Sequence, residues 1–280
     1  MQARRFIQCD VFSPTPTQGN GLAVVVDAQG LDTETMQRFA AWTHLAETTF
    51  LLPPTDPVAD YRVRIFTPRR EMPFAGHPTL GSCLSWLHAG GVPREPGIVR
   101  QQCELGIVAV DVTHAGRPAF NAPATRIAAL PTERRERIAR ALGLSPNHIV
   151  QTCLLENGPV WQVFELDSAA AVLAADSSRV TWAEFGSIGL IGPQALGSGI
   201  DWEVRMLAPS SGMSEDPITG SLNAALARWM RAQGRLTRPT TVAQGTVIGR
   251  QGRVSIRPGE DDSIWIGGAV HIVIEGTVRL

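Results

Sequence analysis

Short apolar runs broken by proline and glycine predict a chain built largely of β-strands. Several runs alternate between apolar and polar residues, which is typical of strands that bury one face. Strands are predicted at Phe6–Phe12, Leu22–Val26, Thr48–Leu52, Arg62–Phe66, Ile149–Leu155, Val160–Leu166 and Asp201–Leu207. Further short strands are predicted within Cys103–Val112 and at Thr246–Ile248, Val254–Ile256, Ser263–Ile266 and Ala269–Ile274.

Other segments carry apolar residues at the three- and four-residue spacing of an α-helix. Helices are predicted after a cap at Asp32 or Thr33, from Pro78 to Gly90, at Pro131–Ala141 and, after a loop at Ala208–Glu215, from Pro217 to Gln233. The helix at Pro131–Ala141 is rich in Arg and Glu and is predicted to lie at the surface. The two helices that begin near a proline are more apolar and bear on function.

Two segments of the chain look like copies of each other. They are Phe66-Thr67-Pro68 followed by Gly76-His77-Pro78-Thr79-Leu80-Gly81-Ser82, and Leu207-Ala208-Pro209 followed by Glu215-Asp216-Pro217-Ile218-Thr219-Gly220-Ser221. Each segment is predicted to form a strand, a proline, a loop, and then Pro-x-x-Gly-Ser at the start of a helix. A constant offset aligns Gly81 with Gly220, and the same offset places His77 on Asp216.

The duplicated helix start predicts a ligand site. Proline suits the first helical position because its missing N–H would be unpaired there, and glycine and serine in the first turn leave backbone N–H groups open to an anion. Taken singly, His77 and Asp216 could be ordinary helix caps. Together they suggest two similar domains that face each other across a cleft, with both helix starts directed at one small anionic ligand.

Glu47 is the candidate general acid/base. It lies between Leu45-Ala46 and Thr48-Thr49-Phe50-Leu51, and partial burial raises the pKa of a carboxyl group toward the range that suits proton transfer. A half-exposed glutamate at the start of a strand is the alternative explanation from local sequence. His44 lies close by and is kept as a neighbouring candidate.

The charged residues exclude several classes of protein. All 25 basic residues are arginine, which excludes lysine Schiff-base chemistry, the phosphate-binding loop and serine–lysine hydrolases. A net charge of −1 argues against a general nucleic-acid binder. No apolar run reaches the roughly 20 residues of a membrane span, and Met1–Arg5 leads into a strand without a signal-peptide core. We therefore expect a cytoplasmic protein with neither a nucleic-acid nor a membrane partner.

The cysteines show no metal-binding or redox pattern. Cys9, Cys83, Cys103 and Cys153 include no C-x-x-C pair and no histidine at zinc-finger spacing. We expect buried free thiols and no bound metal.

Motifs that occur in the order of a known family are spread over almost the whole chain. They are Gly19-Asn20-Gly21-Leu22-Ala23-Val24-Val25, His44-Leu45-Ala46-Glu47-Thr48-Thr49-Phe50, Phe66-Thr67-Pro68, Met72-Pro73-Phe74-Ala75-Gly76-His77-Pro78-Thr79-Leu80-Gly81, Glu215-Asp216-Pro217-Ile218-Thr219-Gly220-Ser221, Gln244-Gly245, Gly249-Arg250 and Gly267-Gly268-Ala269-Val270. Through these motifs the chain resembles the PhzF-like phenazine-biosynthesis family.

The resemblance implies the diaminopimelate-epimerase-like fold. In this α+β fold two pseudo-symmetric domains each wrap a β-barrel-like sheet around a central helix. We expect an N-terminal domain at 1–118, to which a last strand at about 271–280 returns, and a C-terminal domain at 119–270. The resemblance also implies a homodimer.

The activity implied by the resemblance is a cofactor-independent isomerase that moves a proton between carbon atoms of a small carboxylate substrate. Glu47 would carry the proton, and the substrate would be bound and polarised by His77, Asp216 and Ser221. Further substrate-binding residues would be Gly76, Pro78, Thr79, Thr219, Gly220 and His44.

Two alternatives to this isomerase stay open. One is a non-catalytic family member that binds a small anion or a protein partner. The other is a thiol-dependent racemase, whose relatives carry a cysteine at each helix start. In this chain those places hold Ala75 and Pro217, and Cys83 lies a full turn inside its helix. The chain also has His44-Leu45-Ala46-Glu47 where the family commonly has Asn-Leu-Ser-Glu.

Overall fold

The computed structural model describes residues 1–180, 182–209 and 214–280. They form two compact units, of which unit 1 comprises Met1–Asn121 with Gly267–Leu280 and unit 2 comprises Ala122–Ile266. Both units contain helices and strands, so the predicted α+β class is confirmed.

Strands outnumber helices along the chain. The first eight strands are β1 (Ala3–Val11), β2 (Asn20–Val25), β3 (Glu47–Leu52), β4 (Tyr61–Phe66), β5 (Glu71–Met72), β6 (Ile98–Cys103), β7 (Gly106–Asp111) and β8 (Ala119–Asn121). The others are β9 (Arg126–Ala128), β10 (Ile149–Glu156), β11 (Val160–Leu166), β12 (Ser187–Pro193), β13 (Trp202–Leu207), β14 (Thr240–Gln244), β15 (Gly252–Pro258), β16 (Ile264–Gly267) and β17 (Val270–Arg279). The α-helices are α1 (Thr33–Thr43), α2 (Gly76–His88), α3 (Thr132–Ala141), α4 (Ala169–Ala174) and α5 (Gly220–Ala232).

The sheet of unit 1 begins at the C-terminal strand. β17 pairs with β1, and the pairing continues through β2, β3, β4, β6 and β7 to β8. The pairs β2–β3 and β4–β6 are parallel, and the others are antiparallel. The short strand β5 pairs with the end of β4, where Phe66 lies opposite Glu71.

Helix α2 is the central helix of unit 1. It contacts β1, β2, β3, β6, β8 and β17, and its first ten residues are almost all buried. Gly81 allows the close approach, because a Cβ atom at that position would lie 2.6 Å from Leu22 Cδ2 and 2.8 Å from Cys9 Sγ. Only glycine fits such a contact without displacing the helix or the strands.

Unit 2 repeats the strand order of unit 1. Its sheet runs β9–β10–β11–β12–β13–β14–β15, and the pairs β11–β12 and β13–β14 are parallel. From β10 to β15 the pairing is antiparallel, parallel, antiparallel, parallel and antiparallel, as it is along β1, β2, β3, β4, β6 and β7. Each parallel pair is joined across a helix, as parallel strands require: α1 and α2 in unit 1, α4 and α5 in unit 2. The internal repeat is thus a repeat of topology.

The two repeated helices begin at residues other than the predicted ones. Helix α2 begins at Gly76, so Pro78 is its third residue, and α5 begins at Gly220, so Pro217 precedes it. In unit 2 the chain is still extended at Asp216, whose N–H donates to the carbonyl of Met206 at 2.9 Å. That contact delays the start of α5.

Other differences from the predicted elements occur in both units; in unit 1 the strands β5, β6 and β8 were not predicted. Thr246–Ile248 forms a 3-10 turn instead of a strand, because left-handed glycines with φ of 88° and 72° bracket it. Strands β12 and β14 and helix α4 were not predicted. Part of the predicted loop at Ala208–Glu215, residues 210–213, lies outside the described residues.

Candidate active site

Glu47 and His77 meet in unit 1. Glu47 is the first residue of β3, and His77 is the second residue of α2. Their side chains are 18% and 5% exposed, and Glu47 Oε2 lies 3.3 Å from His77 Nε2. The sequence therefore identified two residues that the fold brings together in a largely buried setting.

Strand pairing sets the position of Glu47. In the parallel β2–β3 pair Leu22 lies opposite Glu47, and Asn20 precedes Leu22 by two residues. Residues two apart on a strand point to the same face of the sheet. Asn20, Leu22 and Glu47 therefore share the face on which α2 packs, with Leu22 beneath Gly81.

Asn20 fixes the protonation pattern of the His77 ring. The Nδ2 atom of Asn20 lies 3.3 Å from His77 Nδ1, and an amide nitrogen can only donate. Nδ1 is then the acceptor, so the proton of the neutral ring resides on Nε2, the atom that faces Glu47. Asn20 itself is buried.

Burial also keeps the ring neutral. Desolvation lowers the pKa of His77 from 6.5 to about 3, because a charged imidazole loses its hydration when it is buried. At neutral pH His77 is thus a neutral hydrogen-bond donor and too weak a base to hold a proton. In this pair Glu47 is the group that can take up a proton.

The start of α2 is held by buried hydrogen bonds. Its N-cap, Ala75, provides no side-chain cap. The hydroxyl of Thr79 donates to the Ala75 carbonyl at 2.9 Å and accepts from Gln101 Nε2 at 3.0 Å. Tyr61 donates to the same Gln101 side chain at 2.7 Å. These bonds fix the first turn, which includes the buried Gly76 and Pro78; the substrate-binding roles of Gly76, Pro78 and Thr79 stay predictions.

His44 is placed differently from the other candidates of unit 1. It is the C-cap of α1 in a left-handed conformation, with φ of 56°, and its side chain is exposed. A substrate-binding role for His44 stays a prediction.

Asp216 lies in a buried polar network of unit 2. The Thr219 hydroxyl donates to Asp216 Oδ2 at 2.5 Å, and Gln244 Nε2 donates to that hydroxyl at 3.0 Å. Gln244 Oε1 accepts from the Thr219 N–H at 3.1 Å and from Asn223 Nδ2 at 2.9 Å. One buried amide on β14 therefore ties together the segment that carries Asp216 and the start of α5.

Ser221 and Gly220 occupy the first turn of α5. Thr219 is the N-cap but makes no side-chain capping bond, because its hydroxyl is directed to Asp216. The Ser221 carbonyl accepts from Asn157 Nδ2 at 2.8 Å, and Asn157 in turn accepts from the Trp161 indole N–H at 3.0 Å. The turn is thereby anchored to the sheet; the catalytic role of Ser221 stays a prediction.

Sequence reasoning missed the supporting amides Asn20 and Gln244. Asn20 contacts a histidine 57 residues away along the chain, and Gln244 supports residues more than 20 positions earlier. Both lie inside motifs that carry the family resemblance, Gly19-Asn20-Gly21 and Gln244-Gly245. An amide side chain at the end of a strand, directly beside a glycine, was the available signal.

The four cysteine thiols are buried and are not suited to act as acid/base groups. All four cysteines are free and buried, as expected. Burial raises the pKa of Cys9 and Cys153 to about 12 and that of Cys83 well above its usual range, so none supplies a thiolate near neutral pH. Within residues 1–180, 182–209 and 214–280, no cluster of His, Cys, Asp and Glu suited to a metal ion was found. In the same part of the chain no helix is long and apolar enough to cross a bilayer.

Comparison with known proteins gives one family match. The model of the family described as phenazine biosynthesis-like protein matches residues 9–276.

Two curated relatives illustrate how far the similarity extends. Antisense-enhancing sequence 1 of Schizosaccharomyces pombe is 33% identical, with 99% of each chain covered. A trans-2,3-dihydro-3-hydroxyanthranilate isomerase of Pseudomonas fluorescens is 30% identical, covering 88% of this chain and 87% of the relative.

Solved structures share the fold. A phenazine biosynthesis protein of the PhzF family from Bacillus anthracis matches with a TM-score of 0.85 at 23% identity, covering 100% of both chains. A probable proline racemase from Agrobacterium radiobacter matches with a TM-score of 0.67 at 10% identity, covering 99% of this chain and 93% of the other. At these identities the structures establish the fold alone.

Proposed function

The chain belongs to the phenazine biosynthesis-like family, and on that premise we propose that Glu47 moves a proton between two carbon atoms of a small carboxylate substrate. The reaction class, isomerase, follows from relatives of that class that align over most of the chain. The substrate class and the role of Glu47 are our proposal. The observation that carries it is the 3.3 Å contact between Glu47 Oε2 and Nε2 of a neutral His77.

The proposed reaction has two proton transfers. The Glu47 carboxylate removes a proton from a substrate carbon next to a double bond. The electron pair of that C–H bond forms a new double bond to the neighbouring carbon, and the π pair of the original double bond moves to its far carbon. The resulting Glu47 carboxylic acid exchanges its proton with solvent and then protonates the carbon at the far end of the displaced double bond. Atoms and electrons balance within the substrate and Glu47, and no redox partner enters.

His77 has a separate part in this proposal. Its Nε2 lies 3.3 Å from Glu47 Oε2, so the Nε2–H is placed to donate to the carboxylate and to orient it when a substrate binds. Its contribution is to hold the base in a geometry from which it can reach the substrate C–H bond. Because the ring has a pKa of about 3, it stays neutral at pH 7 and leaves the proton to Glu47.

The remaining candidates belong to substrate binding in this proposal. Asp216 and Ser221 bind and polarise the substrate, and backbone N–H groups near Gly76 and Gly220 hold its carboxylate. Pro78, Thr79, Thr219 and His44 complete the proposed substrate-binding set.

We further propose that the protein is a cytoplasmic homodimer. Analytical ultracentrifugation would test the oligomeric state, and localisation of a tagged chain would test the compartment.

The direct test is proton exchange in D₂O. Incubation with trans-2,3-dihydro-3-hydroxyanthranilate, and then with other small unsaturated acids, should give deuterium at carbon by NMR. Glu47→Gln should abolish the signal while the circular dichroism spectrum is unchanged. Glu34→Gln is the matched control, since this exposed glutamate pairs with Arg38 on the surface of α1. Exchange that persists in Glu47→Gln would refute the role of Glu47.

The non-catalytic alternative gives a different result. A family member that only binds a small anion or a protein partner would show saturable binding by calorimetry without deuterium at carbon for any acid. The wild-type protein therefore distinguishes the two functions before any variant is made.

A further inference from the structure

Each unit holds an arginine–glutamate pair at the same place in its topology. Arg64 lies two residues before the end of β4, and Arg205 lies two residues before the end of β13. Glu71 follows β4 and lies opposite its last residue, Phe66. Glu215 follows β13 and directly precedes Asp216, which bridges to Met206. The pairs are therefore counterparts within the repeat.

The pair of unit 1 is partly open to solvent. Arg64 Nε donates to Glu71 Oε1 at 2.7 Å, and Nη2 donates to Oε2 at 2.6 Å. The side chains are 18% and 30% exposed, and they line an open cleft of about 450 Å³. This pair joins β5 to β4, and Glu71 precedes the start of α2, on which His77 lies.

The pair of unit 2 is completely buried. Arg205 Nη2 lies 2.8 Å from Glu215 Oε2, and the two side chains are 1% and 2% exposed. Arg205 Nη1 also donates to the carbonyls of Val172 and Ala175, at 3.2 and 2.7 Å, and Nη2 donates to Ser177 Oγ at 3.2 Å. One guanidinium group thus connects β13, the end of α4 and the residue before Asp216.

Burial makes this pair a rigid support. A buried charge is stable only while its ion-pair partner and its hydrogen bonds are in place. Movement of either side chain would leave an unpaired charge without water, which is unfavourable. Bidentate arginine–carboxylate contacts also fix orientation as well as distance. The position of Glu215 is therefore tightly defined, and with it the backbone of Asp216.

We propose that Arg205 and Glu215 are positioning residues for Asp216. Glu215 holds the preceding peptide from one side, while the Asp216 N–H is held by Met206 and its carboxylate by Thr219. The inference rests on the proposed substrate-binding role of Asp216. It adds that this role depends on a buried ion pair that does not itself touch the substrate.

Two variants of the pair test the proposal. Glu215→Asp retains the charge and withdraws the carboxylate by one methylene, so the protein keeps its buried pair with altered geometry. Arg205→Met combined with Glu215→Leu removes both charges together, a replacement that buried pairs often tolerate in stability. Glu71→Gln is the matched control, because it breaks the equivalent pair in unit 1.

The first measurement needs no activity. Hydrogen exchange by mass spectrometry should show amide exchange over residues 214–223 faster by about tenfold or more in Glu215→Asp and in the double variant. Glu71→Gln should leave exchange in that segment unchanged. Unchanged protection in both unit 2 variants would overturn the proposal.

The second measurement is deuterium incorporation into the substrate. Small displacements of a binding group lower turnover steeply, so kcat should fall about tenfold or more in the double variant even if its thermal midpoint equals that of the wild type. A stable double variant with wild-type kcat would show that the pair is only structural. If the wild-type protein turns over no acid, the proposed function fails, and the hydrogen-exchange result still decides whether the pair positions Asp216.

Discussion

His77 and Gly81 lie four residues apart on one face of α2, so the residue that lets the helix approach the sheet also determines where the imidazole stands. Gly81 rests on Leu22 of β2, and Leu22 is the strand partner of Glu47. The distance between the imidazole and the carboxylate is therefore set by a contact between a glycine and a leucine that take no part in the chemistry.

Replacing this glycine should disturb both stability and activity. In Gly81→Ala the new Cβ would lie 2.6 Å from Leu22 Cδ2, and such overpacking typically costs about 1–3 kcal/mol. Urea denaturation should show that loss, and proton exchange into the substrate should slow. Gly276→Ala is the control, because a Cβ there meets nothing within 4 Å.

A second substitution checks that the Gly81→Ala effect arises at Leu22. Leu22→Val removes the Cδ atoms, so the double variant should recover part of the lost stability. Independent, additive losses in the double-mutant cycle would contradict the assigned contact.

The tautomer of His77 should depend on Asn20. In Asn20→Asp the new carboxylate would accept a hydrogen bond from Nδ1–H. The ring proton would then reside on Nδ1, and the Nε2 atom that faces Glu47 would be unprotonated. Because Nε2 would then no longer orient the Glu47 carboxylate, activity should fall by about tenfold to a hundredfold. Nitrogen-15 NMR of the ring distinguishes the two tautomers, and a ring still protonated on Nε2 in Asn20→Asp would count against this account.

Neutral His77 should make the protein less stable in acid. Its pKa is about 3 in the folded state against 6.5 in the unfolded state, so the unfolded chain binds the extra proton between these values. Stability is full above about pH 6.5 and declines as the pH falls toward 3, by about 2 kcal/mol at pH 5. Comparing His77→Gln with wild type from pH 7.5 to 5 isolates this contribution; parallel curves would disprove it.

The hydroxyl of Thr219 should be required for the Asp216 network. Thr219→Val keeps the volume but removes both the donor to Asp216 Oδ2 and the acceptor of Gln244 Nε2, and the loss of these buried bonds should cost about 1–3 kcal/mol. Thr219→Ser retains the hydroxyl and should remain close to wild type in both stability and activity. Equal behaviour of the two variants would show that the methyl group, not the hydroxyl, matters.

Thiol reagents should leave the native protein active. Burial raises the pKa of Cys9 and Cys153 to about 12 and also raises that of Cys83, so iodoacetamide at pH 7.5 should not label these residues before unfolding. Mass spectrometry of the native and denatured protein measures the labelling. Loss of activity on alkylation of Cys83 would instead revive the thiol-dependent racemase.

The fold was predictable where the signal is local. The cap at Asp32 forms as expected, with its side chain accepting from the Thr35 N–H at 2.7 Å. The start of α5 was predicted three residues early. The β-bridge between Met206 and Asp216 keeps the chain extended at Asp216, and Met206 lies in β13, ten residues earlier in the chain. No local pattern encodes such a contact.

The alignment of His77 with Asp216 was also predicted from local sequence, and the strand pairing of the folded chain does not support it. The two units can be aligned in two ways. Aligning the helix starts places Gly81 on Gly220, whereas aligning the arginine–glutamate pairs places Glu71 on Glu215. Unit 1 has five additional residues between these points, and they form the turn of α2 that carries His77. In strand register the counterpart of Asp216 is Met72, which pairs with Ile65.

The sequence by itself determined the family, the α+β class, the exclusion of lysine chemistry and the choice of Glu47 and His77 as candidates, because these depend on which residues are present and in what order. Only the tertiary structure decided that His77 is neutral, that its proton faces Glu47, and that Arg205 reaches Glu215 in a buried pair. Protonation depends on the loss of water around a group, and the hydrogen-bond partners of these residues come from distant strands. Both are properties of packing in three dimensions, which residue order specifies only through the folded chain.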